Sequence, residues 1–410
     1  MLRFLTAGES HGPSLTAILE GMPAGLPLAA SDLQSDMRRR QKGYGSGGRM
    51  GIEKDAVRIT AGVMGGQTTG SPIAMHIENR DWINWRGKEI APMTIPRPGH
   101  ADLVGAIKYG HRDLRLTLER ASARETAARV AVGAVCRHLL GQFGIVIGSY
   151  VVAIGDISAD LPYPSGKESS VRQTYLDRFD AAENNEVRCP DGEIAQFMQQ
   201  AIADTMQAKD TIGGIFEVVA LGVPPGLGSY VHWDRRLSAR LLGAVGSIQA
   251  VKGVEIGPAL ENTRLPGSHV HDEIFAEPAD KDAKASAAAL TRRTNRCGGV
   301  EGGVSTGQPI VVRGAMKPIA TTLVPLQSVD LATGQPATTH YERSDYCAVP
   351  RAAVVAEAMV AFVLGNTLTE KLGGDSLAEM HARFKALRPG KLDELQMDGV
   401  PWQFGYQDEE

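Results

Sequence analysis

Two glycine motifs each occur twice, in the same order, along this 410-residue chain, and no other feature constrains the fold as tightly. Gly21-Met22-Pro23-Ala24-Gly25-Leu26 returns as Gly222-Val223-Pro224-Pro225-Gly226-Leu227. Gly65-Gly66-Gln67-Thr68-Thr69-Gly70-Ser71-Pro72-Ile73 returns as Gly302-Gly303-Val304-Ser305-Thr306-Gly307-Gln308-Pro309-Ile310. Each half then runs into an Ala/Val-rich helical stretch, 122–143 and 352–371. The spacing is far too long for a solenoid, so the pattern implies a diverged duplication: two related halves sharing one core. The halves span about 1–145 and 210–372, with an insertion at about 146–209 and a polar C-terminal tail at 373–410, all within a single domain of residues 1–410.

The local elements are of mixed kind. Runs at 57–60, 73–77, 215–221 and 310–312 alternate with β-branched residues beside Gly-Pro turns and read as strands. Amphipathic helices are expected at 32–41 and 234–247, the first capped by Ser31 with Gln34, and further helices at 193–209 and 377–387. The 47 glycines imply many tight turns and close backbone approaches.

Charge narrows the function. A net charge of -4 argues against a general nucleic-acid binder. The four cysteines, Cys136, Cys189, Cys297 and Cys347, lie far apart with no C-x-x-C pair and read as reduced thiols. Glu9 arrives too early for a signal-peptide core, and no apolar run approaches the ~18 residues that span a bilayer. A cytoplasmic protein is expected.

Four motifs carry chemistry. Ala7-Gly8-Glu9-Ser10-His11-Gly12 presents a hydroxyl and an imidazole, whose ordinary pKa near ~6.5 suits proton transfer, on a loop that lets the backbone approach a ligand. Arg38-Arg39-Arg40-Gln41-Lys42 leads into Gly43-Tyr44-Gly45-Ser46-Gly47-Gly48-Arg49. Its glycines match G-x-G-x-x-G, but a basic helix end precedes them instead of an apolar strand, so the dinucleotide reading fails. Guanidinium forks beside a glycine loop suit phosphate or carboxylate. Arg97-Pro98-Gly99-His100-Ala101-Asp102 is followed by Arg120-Ala121-Ser122-Ala123-Arg124-Glu125-Thr126, where Ser122 and Glu125 fit a capping box and the flanking arginines prepare an anion site at a helix start. Arginine in a first helical turn opposes the dipole, so capping alone does not explain Arg124. Last come Lys317-Pro318-Ile319-Ala320-Thr321-Thr322 and Arg343-Ser344-Asp345, an irregular anion loop without the P-loop pattern. The His269-Val270-His271-Asp272-Glu273 segment lacks a third metal ligand and reads as a solvated polar loop, so no metal is expected.

Together and in this order, these motifs resemble the chorismate synthase family, in its shorter bacterial form, over roughly residues 1–372; Ser247–Gly253 and Gly302–Gly307 complete the match. The resemblance implies an α+β fold of the β-α-β sandwich type, antiparallel sheets flanking a central helical layer with an internal pseudo-duplication, assembled as a homotetramer. It implies 5-enolpyruvylshikimate 3-phosphate as substrate and reduced FMN as cofactor. NADPH enters only indirectly, through an external flavin reductase. The hydrogen and the phosphate leave non-adjacent carbons and that hydrogen is not acidic, so electron density from the flavin replaces a plain base. By carry-over, Arg40, Arg49, Arg97, Arg124 and Arg343 clamp the anion, with Ser46 in the same loop. His11 protonates the departing phosphate beside Ser10, His100 stabilises the reduced flavin, Asp345 sits near its N5, and Ser122 joins the catalytic group. FMN contacts fall to Arg120, Ala121, Ser122, Gln249, Ala250, Gly302, Lys317, Pro318, Ile319, Ala320, Thr321 and Arg343. Two positions depart from the family pattern: Ser46 replaces a usual second arginine in the glycine loop, removing one substrate cation, and Gln249 replaces a more usual asparagine. Two other readings stand beside this one. A phosphotransferase lacks its P-loop and kinase motifs, and an RNA-binding module is disfavoured by the acidic charge and 5% aromatic content.

Overall fold

The computed structural model describes residues 1–46, 53–277, 288–339, 344–388, 390–395 and 397–402. Two antiparallel sheets enclose a layer of helices. β1 (Arg3–Ala7), β2 (Ser14–Glu20), β3 (Val57–Ala61) and β4 (Ile73–Glu78) form the first, in the order β1-β2-β4-β3. β5 (Val146–Ile154), β6 (Ile157–Ser158), β7 (Gly214–Leu221), β8 (Val251–Ile256) and β9 (Ile310–Met316) form the second, in the order β8-β9-β7-β5-β6. β5 opens the stretch read from sequence as an insertion, yet it pairs along its length with β7.

Period-2 alternation sets the first sheet's inner face. Leu15, Ala17 and Leu19 are buried opposite Ile77, Met75 and Ile73, the register that directs both apolar sets to the helices. Nine helices matter here: α1 (Ala30–Gln41), α2 (Asp102–Tyr109), α3 (Arg115–Ala121), α4 (Thr126–Gly141), α5 (Glu168–Glu183), α6 (Gly192–Gln207), α7 (Leu237–Gly246), α8 (Val349–Leu372) and α9 (Leu377–Lys385). α4 lies under the first sheet and α8 under the second, and the two pack on each other with α1 and α7 beside them. A side chain on Gly133 would meet Ala358 Cα at 2.3 Å, so only glycine allows this helix crossing. α8, the Ala/Val-rich helical stretch expected at 352–371, is apolar and long enough to cross a bilayer, contrary to the expectation that no run approaches that length. It is a core helix, with 89% of its apolar window buried.

The two pairs of glycine motifs match down to individual hydrogen bonds. Each Gly-Gly pair turns a two-stranded hairpin with both glycines at positive φ: 57° and 78° at Gly65 and Gly66, 58° and 92° at Gly302 and Gly303. Thr68 Oγ1 donates to Pro23 O at 2.6 Å and accepts from Leu26 N at 3.0 Å; Ser305 Oγ donates to Pro224 O at 2.7 Å and accepts from Leu227 N at 2.8 Å.

A buried ionic cluster ties the helices to β5. Glu357 of α8, 1% exposed, accepts from Arg39 of α1 at 2.7 Å on each oxygen and from Arg137 of α4 at 3.2 Å, with Arg188 at 3.5 Å. The residue before β1 is tied to α8, the Leu2 amide donating to Asn366 Oδ1 at 2.6 Å.

Three local expectations change. α1 begins earlier than expected, with Ala29 as its N-cap, because the Asp32 carboxylate accepts from the Ala29 amide at 2.7 Å; Ser31 and Gln34 do not cap it. The helix expected at 234–247 starts at Leu237, after a separate 3-10 turn at Trp233–Arg235. Asp272 is buried, not solvated, and accepts from Thr294 Oγ1 and from the amides of Arg296 and Cys297. Its ligand atoms cluster within 4.8 Å of those of Cys297 and Glu301, but these bonds already occupy the carboxylate, and neither His269 nor His271 belongs to the group.

Candidate active site

A cavity of about 420 Å³ opens where the N-terminal ends of α4 and α8 meet loops from both halves. That size suits a small-molecule site. The two positive helix ends favour an anion there. Ser122 caps the 3-10 turn Ala123–Glu125 that precedes α4, accepting from Arg124 N at 3.3 Å. Glu125 does not complete the expected capping box; its carboxylate instead accepts from Thr6 Oγ1 at 2.8 Å and Arg129 Nε at 2.9 Å.

Arginine dominates the polar wall. The Arg38-Arg39-Arg40 triplet divides: Arg38 is exposed, Arg39 joins Glu357, and Arg40 turns into the cavity. Arg40 and Arg124 share Asp55, one oxygen each, at 2.9 and 2.5 Å. Arg40 also reaches Thr126 Oγ1 at 3.1 Å, and Arg124 reaches Asn79 Oδ1 at 2.8 Å. Burial lowers the Arg40 pKa to about 10, against the pull of Asp55 and with added repulsion from Arg124 and Arg351. Arg97 grips Asp102 through Nε at 2.8 Å and Nη2 at 3.0 Å, while Nη1 donates to Thr321 Oγ1 at 2.9 Å.

Each histidine at the cavity has a carboxylate behind it. His11 Nδ1 lies 2.7 Å from Glu119 Oε1, and its amide donates to Glu119 Oε2 at 2.6 Å. Burial opposes ionisation of Glu119, but these bonds prevail and hold its pKa below the ordinary value. The Trp85 ring lies 4.3 Å from the His11 ring. His100 Nδ1 lies 2.5 Å from Asp102 Oδ1. Burial again opposes ionisation of Asp102, and the bonds to His100 and Arg97 depress its pKa regardless. Such partners fix a ring's orientation and tautomer.

The apolar wall comprises Leu118, Ile248, Met316, Ile319 and Val355. Beside it Gln249 Oε1 is buried without a hydrogen-bond partner, although Nε2 of the same amide donates to Glu125 Oε2 at 3.4 Å. Ala250 holds φ at 64°, a backbone conformation that costs energy for a residue with a Cβ and is typical of binding walls.

Of the residues singled out from sequence, Ser10, His11, Arg40, Arg97, His100, Ser122, Arg124, Gln249, Ala250, Ile319, Thr321 and Asp345 line this one cavity. Ser122 Oγ donates to Ser10 Oγ at 3.1 Å. Arg49 and Arg343 lie outside the described residues. Ser46, Arg120, Ala121, Gly302, Lys317, Pro318 and Ala320 do not line it. Arg120 is exposed and donates to Thr6 O at 2.8 Å, and Gly302 sits at its hairpin turn. Lys317 and Ala320 stand behind the wall against Gly99, where an added Cβ would lie 3.4 and 3.6 Å from them. Sequence reasoning missed Glu53, Asp55, Trp85, Glu119 and Arg351. The one available signal was general: arginines gathered away from water require carboxylates nearby.

An arginine-lined cavity with two carboxylate-backed histidines, set at paired helix ends between two sheets, has the make-up of an enzyme site for a small molecule. The comparisons specify which kind. The family model described as chorismate synthase matches residues 2–369. The chorismate synthase of Pelobacter propionicus is 52% identical over 394 residues, covering 94% of this chain and 98% of the relative. That of Aquifex aeolicus is 51% identical, covering 94% and 96%. A crystal structure of chorismate synthase superposes with a TM-score of 0.75 at 45% identity, covering 94% of this chain and 96% of the other. The chain belongs to the chorismate synthase family, whose members are carbon–oxygen lyases, and the β-α-β sandwich is the family's fold.

Proposed function

We propose that this chain converts 5-enolpyruvylshikimate 3-phosphate to chorismate and phosphate by a 1,4-anti elimination that requires reduced FMN, the last step of the shikimate pathway. The observation that carries the reading is the convergence of His11, His100 and Asp345 with Arg40, Arg97 and Arg124 on one cavity. The cavity also fits a flavin: an apolar wall suits a planar ring system, and the orphaned Gln249 Oε1 awaits a donor. Ser122, Gln249, Ala250, Ile319 and Thr321 would hold it. Bound there, reduced FMN supplies the electron density and hydrogen acceptor that an elimination across non-adjacent carbons needs.

The chain's own groups do the rest. Arg40, Arg97 and Arg124 bind the phosphate and carboxylates, aided by both helix ends. His11, oriented by Glu119, protonates the departing phosphate and makes it a better leaving group. His100, oriented by Asp102, serves the flavin side, and Asp345 steers the proton there. Arg49 and Arg343 join the anion clamp, and Arg120, Ala121, Gly302, Lys317, Pro318 and Ala320 give outer support to the cofactor site. The enzyme works in the cytoplasm as a homotetramer, supplied by an external flavin reductase that draws on NADPH. The assembly reading is supported by Leu103, Val104, Ile107, Tyr109 and Leu116, apolar side chains of α2 and α3 that are each more than 40% exposed. Anaerobic assay with dithionite-reduced FMN tests the function: one phosphate per chorismate with no net flavin oxidation is expected. Equal turnover with oxidised FMN, or with none, refutes it.

A further inference from the structure

The cavity holds one arginine that neither the motifs nor the carry-over assigns. Arg351 lines it from the first turn of α8, with a side chain only 12% exposed. A first-turn arginine opposes the helix dipole, as Arg124 does before α4, so helix stability does not explain its place. Arg351 Nη2 pairs with Asp345 Oδ2, which holds the guanidinium at the cavity wall. It lies close enough to Arg40 to add to its electrostatic strain.

Position 46 is the other half of the argument. Ser46 Oγ turns back to donate to Gly43 O at 2.5 Å, and the side chain does not reach the cavity. A Cβ built on Gly43 would lie 3.5 Å from Arg351 Cγ and 3.8 Å from Ser46 Oγ, so both side chains flank the same backbone position. The loop carrying Ser46 is also bound to the strip beside Asp345, Tyr346 N donating to Gly45 O at 2.9 Å.

We infer that Arg351 supplies the anion-binding cation that Ser46, standing where the family usually has arginine, does not. The cation stands at the start of α8 instead of in the glycine loop and serves the same anion. With Arg40, Arg97 and Arg124 it makes four arginines on the cavity wall against two carboxylates, Glu53 and Asp345, among the described residues. Asp55, Asp102 and Asp345 hold these guanidinium groups in place, and their remaining N–H donors suit a substrate bearing a phosphate and carboxylates. The inference rests on the proposed function and deepens it.

Steady-state kinetics of the full chain, anaerobic and at saturating dithionite-reduced FMN, test it. Arg351→Ala should raise KM for 5-enolpyruvylshikimate 3-phosphate by about ten- to hundredfold, the factor that a lost charge-assisted hydrogen bond carries, with a smaller effect on kcat. Arg351→Gln, which keeps the bulk if alanine impairs folding, should do the same. Adding Ser46→Arg to either variant should recover most of the lost affinity. A KM within twofold of the unaltered chain, a fall in kcat alone, or no recovery in the double variant overturns the inference; a fall in kcat alone would mean that Arg351 acts only through Asp345. Absence of turnover in the unaltered chain overturns the proposed function itself, so the two failures are distinct.

Discussion

Replacing Glu357 by glutamine should destabilise the protein in a pH-dependent way. Burial works against ionisation of this carboxyl, but Arg39, Arg137 and Arg188 outweigh it and hold the pKa at about 2 instead of its ordinary 4.5. That depression corresponds to about 3 kcal/mol of stability. The sign follows from its direction. A group depressed in the folded state stabilises fully above its unfolded value, near 4.5, and loses that contribution as pH falls towards 2. Glutamine keeps the shape and removes the charge, leaving the arginines to Asp36 and Glu183 alone. Breaking a buried pair in this way costs about 3–5 kcal/mol near neutrality. Urea unfolding followed by circular dichroism at pH 7, 5, 4 and 3 should therefore show a large gap between the two proteins at pH 7 that shrinks by about 2 kcal/mol at pH 3. A gap that is constant, or that widens on acidification, would refute the assignment of Glu357 as the charged centre of the cluster.

Glu119→Gln should place an amide N–H against a donor of His11 and lower kcat by about ten- to hundredfold with the fold intact, measured by anaerobic stopped-flow and circular dichroism. His11→Ala and His100→Ala should each cost about 10²–10⁴-fold in kcat. Only His100→Ala should alter the spectrum of bound reduced flavin recorded with a non-reacting substrate analogue, and equal perturbation by both would refute the division of roles. Gly133→Leu should unfold the protein or cost at least about 3 kcal/mol in urea titrations, because the new side chain drives into Ala358.

The features legible in the sequence are those that local chemistry demands. Gly65-Gly66 and Gly302-Gly303 announce themselves because a tight hairpin turn needs positive φ at both central residues. Arg40, Arg97 and Arg124 stand out because guanidinium groups beside glycine loops have few purely structural uses. The carboxylates that hold them do not stand out. Asp55 follows the glycine loop with nothing to mark it, and Glu119 sits in an ordinary helical turn of α3. Their importance arises only when packing delivers an arginine or a histidine to them. Arg351 was hidden in the same way, inside a stretch whose dominant message is apolar helix. Ser31 shows the converse: its local cap signal was real, but Asp32 three residues after Ala29 competed for the helix start and prevailed.

The bond between the Leu2 amide and Asn366 bears on how the chain comes to be folded at all. α8, which anchors β1 and fills the space beneath α4, is made long after both of them. At about 5–20 residues per second the first sheet and α4 wait tens of seconds with an apolar face uncovered. The nascent chain must survive that interval, so slow translation or a stall before Val349 should send it towards aggregates, whereas a stall after α8 has emerged from the ribosome should not.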